Sequence, residues 1–520
     1  MNVVFGGTNI NATVIEKIKK GEIIDSSELS PESISAGYAR VSRDSRSVTE
    51  LRESSSREVA NARKSNEIIF FDMGHHSIAE HAYFNFDVLG ISRLAIEALE
   101  SHRLAGYTEK SQRYITLKGD YVTPLELSSL PKDMPDQFHR LVKKQNKLYY
   151  EALPILIEFQ RQANPELAKE ADRKKDEGIK DRLNREKNTL ESWAKEDARY
   201  VLSMATEGQL GFSVNARELE YIIREFKFHP LAEVRGMGER FYEIASGVAP
   251  SLIILSDAES FEKRFGRPLE EKFMKEFDQV LSEECKKVIQ PKNIQSRNGE
   301  VELISYTRDG DRKILTALLK KGLEKSGISI GYRDAETYAS NLTSNQEEGR
   351  KFLLNIFKDL TEFDRLPREF ELSTLTYRIV TSATNFAQLK RHRMMTLLPG
   401  FYDPNLGYTI PNSVIEVGFD KKYIDEMNRA SELFNEIKKY NPHLAPYALT
   451  NAHRRENIVK MSVRELYAFS RLRCDKHAQW DVRNNANKMV ELVKEVNPLT
   501  AMFLGGKHEF SEIRRKLYEK

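Results

Sequence analysis

The chain has 520 residues, of which 40% are apolar and 31% charged, with a formal net charge of +3. That length exceeds what one hydrophobic core usually serves, so two domains are the starting expectation. A balance so close to neutral argues against bulk electrostatic binding of nucleic acid, yet leaves room for a local basic pocket.

Taken in chain order, the opening MNVVFGGTNINATVIEKIKKGE lacks the basic start, apolar core and small-residue cleavage site of a secretory signal. AYFNFDV at 82–88 alternates Phe84, Phe86 and Val88 with Asn85 and Asp87, the pattern of a half-buried strand. A helix follows and ends at SHRLAGYTEKSQRY (101–114). Phe138, Leu141 and Val142 mark a later helix, and the charge-rich stretch of about 169–196 reads as an exposed helical insertion with a solvated face. The bridge 256–298 is polar and mostly helical in pattern. VELISYT at 301–307 predicts an opening strand of a second half, and another strand is expected around FELSTLT at 370–376. A helix then leads into RHRMMTLLPGFYDP, and Ile424, Met427, Phe434 and Ile437 mark the next one.

Two short matches tie the halves together. NPELA at 164–168 echoes NPHLA at 441–445, and NAREL at 215–219 echoes SVREL at 462–466. The register is kept, since Ala198 stands as far before Asn215 as Ala445 does before Ser462. These observations predict an α+β fold of two tandem domains with mixed strands and long helices, at 1–255 and 299–520, joined by a helical linker at 256–298. No apolar run reaches membrane-spanning length. Cys285 and Cys474 are the only cysteines and form no CxxC, and GHH at 74–76 with His81 lacks a third ligand at useful spacing, so no metal site is expected. The expected location is cytoplasmic, with no membrane partner and no nucleic acid.

GHHSIAEHAYFNF at 74–86, SHRLAGYTEKSQRY, DARYVL and SVNAREL, then QLKRHR at 388–393 and SVRELYAFSRLRCDKHAQWDVR at 462–483, resemble the flavin-dependent thymidylate synthases in order and spacing. The resemblance covers most of the chain. It implies a methyltransferase that converts dUMP to dTMP, with methylenetetrahydrofolate as one-carbon donor, FAD as hydride carrier and NADPH as reductant. It also implies an intertwined assembly, here a homodimer whose two chains recreate a four-unit core.

Carried over position by position, the first half has Glu109, Ser111, Gln112, Arg113 and Arg199 as nucleotide contacts. It also has His75, Ser77, Glu80, Glu109, Asn215 and Arg217 at the flavin-contact positions. It lacks the family's glutamine (Ala98), the first arginine (Ser101) and a later arginine, for which EFKF offers no match. The second half is the complement. Gln388, Arg391 and Arg473 match nucleotide contacts, and Arg391, His392, Arg393 and His477 match flavin contacts. Its nucleotide segment is gone, with Pro399, Phe401 and Asp403 at the Glu, Ser and Arg positions and Pro446 in place of Arg199. One complete site per chain is therefore expected, drawn from both halves.

Arginine forks suit a phosphate dianion, and Ser111 and Arg113, two apart on an extended segment, would point to one side. Arg473 is the expected catalytic residue, favouring ionisation of the uracil and so strengthening C5 as a nucleophile. His477 is expected on the same helical face as Arg473. Cys474, a step around the helix from Arg473, reads as packing. Two other readings stay open: a flavoenzyme methylating another uracil nucleotide or an RNA base, and a non-catalytic nucleotide- or flavin-binding protein.

Overall fold

The computed structural model describes residues 1–57, 59–68, 76–289 and 300–519. It divides into two compact units, Met1–Ile294 with Ile424–Leu449, and Gln295–Tyr423 with Thr450–Lys520. Each holds one four-stranded antiparallel sheet with helices packed on it, an α+β arrangement in tandem.

In the first unit β1 (Asn2–Thr8), β2 (Tyr83–Ser92), β3 (Ala105–Glu109) and β4 (Glu207–Asn215) lie in the order β1-β2-β4-β3. Phe84, Phe86 and Val88 are buried, as the alternation of β2 predicts. Phe86 meets Phe212 of β4 and Phe241 of the helix Ala232–Val248, with ring centroids 5.9 and 5.0 Å away. In the second unit β5 (Val301–Tyr306), β6 (Thr374–Ser382), β7 (Thr396–Tyr402) and β8 (Arg454–Ser462) repeat that topology as β5-β6-β8-β7. Residues 370–372, expected to open β6, belong instead to the short 3₁₀ turn Arg368–Leu372, because Pro367 starts a turn that closes through Phe370 N–H to its carbonyl.

The same local chemistry builds both units. Ser92 and Ser382 end β2 and β6 and cap the next helices, Arg93–Glu100 and Ala383–Leu389, by accepting from Ala95 N and Asn385 N. Asn215 and Ser462 end β4 and β8 and cap Ala216–Lys227 and Val463–Arg473 by accepting from Glu218 N and Glu465 N. The sheets differ in two places, one of them a register shift in β7 between Pro399 and Tyr402 that β3 lacks. Between Leu89 and Ile91, β2 carries a bulge at Gly90, whose φ of 67° a glycine adopts without strain.

The charged insertion forms the helices Pro165–Asp176 and Arg185–Ala198 beside the 30-residue helix Met134–Ala163. Residues Ile424–Leu449 group with the first unit for a visible reason. Leu449 O accepts from Met204 N at 2.8 Å, Tyr447 O from Ser203 Oγ at 2.7 Å, and Tyr447 OH donates to Glu233 Oε2 at 2.6 Å. Glu233 also accepts from Ser92 N and Oγ, each at 2.7 Å. Among the described residues no helix is long and apolar enough to cross a membrane.

Candidate functional site

The first unit gathers its nucleotide-segment residues where β3 ends. Beyond Glu109 the chain turns, with Ser111 Oγ accepting from Arg113 N at 3.2 Å and Ser111 O from Ile115 N at 3.4 Å. The segment is thus a hydroxyl-closed turn and not the extended run expected, because a serine side chain competes for the amide two residues on. Arg113 Nε is hydrogen-bonded to Glu196 Oε2. Arg199 lies fully inside, its Nε 3.4 Å from Glu196 O, and burial pulls its guanidinium down to about 10 while Glu196 opposes the shift. Gln112 is buried beside them in sequence.

Two residues were not singled out from sequence. Arg93, only 2% exposed, reaches Glu109 Oε1 at 3.3 Å. Its charge, with that of Arg113, acts on Arg199. Glu196 closes the insertion read as a solvated face, and it is buried. That reading is corrected at this end: the helix Arg185–Ala198 turns its last residues inward, and Lys195, Glu196 and Asp197 are all buried. The available signal for Arg93 was an arginine directly after a helix cap in an otherwise apolar stretch. Three guanidinium groups with Glu109 and Glu196 among them place anion donors where bulk water is excluded.

At the other end of β4, Arg217 pairs with Glu80, Asn215 spends its Oδ1 on the helix cap, and Ser77 is exposed on the turn His76–His81. His75 lies outside the described residues. The second unit keeps the equivalent pair, Arg464 Nη1 to Glu371 Oε1 at 2.8 Å. A tie between this turn and the following helix is therefore part of the shared architecture.

In the second unit Gln388, His392 and Arg473 converge. Arg473 Nε donates to His392 Nε2 at 2.8 Å, and its Nη1 to Gln388 Oε1 at 3.1 Å. The His392 ring stands edge-on to Phe469 at 4.6 Å. Burial, then the Arg473 charge, holds His392 down at about 3, so it is neutral. Arg391 and Arg393 are exposed on the turn on either side of it. His477 is not on the helix of Arg473, which ends at that residue; it is exposed on the next turn with Nδ1 2.7 Å from Asp475 Oδ1. Cys474 caps that helix and joins the second unit's core, where burial pushes its thiol up to about 12, so a thiolate is disfavoured.

Strand register fixes which residues correspond. Glu109 stands opposite Leu210 and Pro399 opposite Asn457, and Leu210 and Asn457 are equally far from the caps Asn215 and Ser462. Pro399 therefore occupies the Glu109 position. Beyond it the second unit has no turn like that of Ser111; β7 runs on to Tyr402, which pairs with Arg455. The Arg455 guanidinium lies 4.3 Å from the Tyr402 ring and 4.4 Å from that of Phe386. Asp403 caps the following turn by accepting from Asn405 N at 3.0 Å. Counted from the same helix caps, Arg93 corresponds to Ala383, Gln388 to Ala98, and Arg473 to Phe226. The arginine position left unmatched in EFKF is thus held by Phe226. Among the described residues no group of three or more His, Cys, Asp or Glu could hold a metal ion.

The sequence profile of the thymidylate synthase complementing protein family matches residues 22–251 and 302–499. A UPF0159 protein of Thermoplasma acidophilum is 24% identical over 83% of this chain and 86% of its own. A flavin-dependent thymidylate synthase of Geobacter sulfurreducens is 29% identical over 43% of this chain and 80% of its own. Among solved structures, a UMP/dUMP methylase from Streptomyces cacaoi bound with 5-Br dUMP is similar over 52% of this chain and 97% of its own, at 18% identity and a TM-score of 0.32.

Proposed function

The chain belongs to the thymidylate synthase complementing protein family, matched once in each half, and on that premise we propose that it methylates dUMP reductively to dTMP. Methylenetetrahydrofolate gives the one-carbon unit and NADPH the reducing power. The observation that carries this reading is the complementary loss set by register. Where the first half keeps Glu109, Arg113 and Arg199, the second has Pro399, Asp403 and Pro446; where the second keeps Gln388, Arg391 and Arg473, the first has Ala98, Ser101 and Phe226. Each chain then owns one complement of ligands, not two.

In this reading Arg113, Arg199 and Ser111, with Gln112, Gln388 and Arg391, bind the nucleotide; Glu196 holds the first two arginines in place, and buried Arg93 holds Glu109. Arg473 donates to the uracil edge and favours loss of the N3 proton, which raises electron density at C5. The donor set also fits a flavin. Arg391 and Arg393 put exposed cationic forks on either side of a half-buried histidine, suited to a diphosphate. Ser77, Glu80, Asn215 and Arg217, with His75, would meet the rest of FAD, and His477 lies within reach of solvent for the same role. FAD, when bound, supplies the hydride.

The test is direct. Purified protein should be yellow, and NADPH with methylenetetrahydrofolate should convert dUMP to dTMP. Conversion of a different uracil nucleotide would refute dUMP and keep the class of reaction. A protein that takes up no FAD would overturn the reading altogether.

A further inference from the structure

The two halves carry the same histidine in two states. His102 and His392 stand equally far from the caps Ser92 and Ser382, and each packs against the helix that begins at Asn215 or Ser462. In the first half the facing residue is Phe226, whose ring lies 5.6 Å from that of His102. Burial brings His102 down to about 4, and its Nε2 is enclosed with no hydrogen-bond partner. In the second half the facing residue is Arg473, and the same Nε2 accepts its Nε–H. A buried ring nitrogen without a partner is costly and uncommon. It is what remains when an arginine at this position is replaced by phenylalanine and the histidine is kept.

We infer that His392 is the positioning residue of Arg473, and that this role, and not contact with the flavin, is what its Nε2 serves. The inference rests on the reading of Arg473 as the contact to the uracil base. Because Nε2 accepts, the ring proton sits on Nδ1 and the imidazole is neutral. An imidazolium would set N–H against N–H and repel the guanidinium. Arginine has several rotatable bonds, and a tether at Nε to His392 with another at Nη1 to Gln388 fixes the plane and direction of its fork. Phe469, one turn before Arg473 on the same helix, packs edge-on against the histidine ring.

The test uses the FAD-loaded full chain. His392→Ala should weaken dUMP binding about tenfold, the size of one charge-assisted hydrogen bond, with FAD content unchanged. His392→Gln, whose amide oxygen reaches near the place of Nε2, should restore most of it. In an Arg473→Ala background, His392→Ala should change affinity less than about twofold, because coupled partners are not additive. His392→Phe keeps the edge contact with Phe469 and replaces the alanine variant if that one does not fold. A second readout needs no ligand: hydrogen exchange at Arg473 Nε–H by NMR should be slow in the wild type and in His392→Gln, and fast in His392→Ala. Losses that add in the double mutant, loss of FAD in step with loss of dUMP binding, or exchange indifferent to His392 would each overturn the inference. If the wild type binds no uracil nucleotide, the functional reading fails and the exchange measurement alone decides the role of His392.

Discussion

Glu196 gives the sharpest perturbation of the anion cluster. Its carboxylate binds Arg113 Nε, and its charge opposes the desolvation of fully buried Arg199. Glu196→Gln keeps the shape and removes the charge, leaving Arg93, Arg113 and Arg199 to repel one another in a water-poor place. Breaking a buried pair by removing one partner costs about 3–5 kcal/mol, so urea unfolding of the first unit should lose about that much with its slope unchanged. A bound dianion replaces the missing charge, so dUMP at about 100 times its Kd should return about 2.7 kcal/mol. A loss below about 1 kcal/mol, or a variant that dUMP does not rescue, would refute the reasoning, because the cluster would then be solvated like a surface pair.

Arg473→Ala should lower turnover by about 2.7–4 kcal/mol in the barrier while FAD content changes little; Arg391→Ala and Arg393→Ala should instead release flavin, read by absorbance of the purified proteins. Glu220 supplies a pH prediction. Burial raises its carboxyl to about 8, so between its ordinary range near 4.5 and that value the folded chain holds a proton the unfolded chain has lost. Stability from this group is full below the lower value and falls as pH rises through the upper one, so Glu220→Gln, which can still accept from Leu255 N, should stabilise more at pH 8 than at pH 5 in paired melts. Light scattering should give twice the chain's 60.0 kDa if the family-like dimer forms, and a strict monomer that holds FAD would contradict it.

The parts of the fold legible in the sequence are those written locally. The alternation of Phe84, Phe86 and Val88 and the paired matches NAREL and SVREL in the two halves depend on neighbours a few residues away. What was hidden depends on tertiary burial. Nothing in a charged stretch marks Glu196 as inward-facing, since the same helix opens on exposed Arg185 and carries charged residues on its half-buried turns as well as its buried end. The grouping of Ile424–Leu449 with the first unit rests on the Met204 backbone N–H and the Ser203 hydroxyl, which leave no periodicity. Helix spacing placed His477 beside Arg473, but the helix stops at Arg473 and Asp475 takes the histidine. Phe226 became the counterpart of Arg473 only once the cap Asn215 fixed the count.

Nucleotide stoichiometry tests the central claim most directly. Calorimetric titration of dUMP into the FAD-loaded chain should give one nucleotide per chain, and Asp403→Ala, which removes only the cap on Asn405, should leave the affinity unchanged. Two nucleotides per chain, or a strong effect of Asp403→Ala, would mean that each half binds on its own and that the complementary losses have no functional meaning.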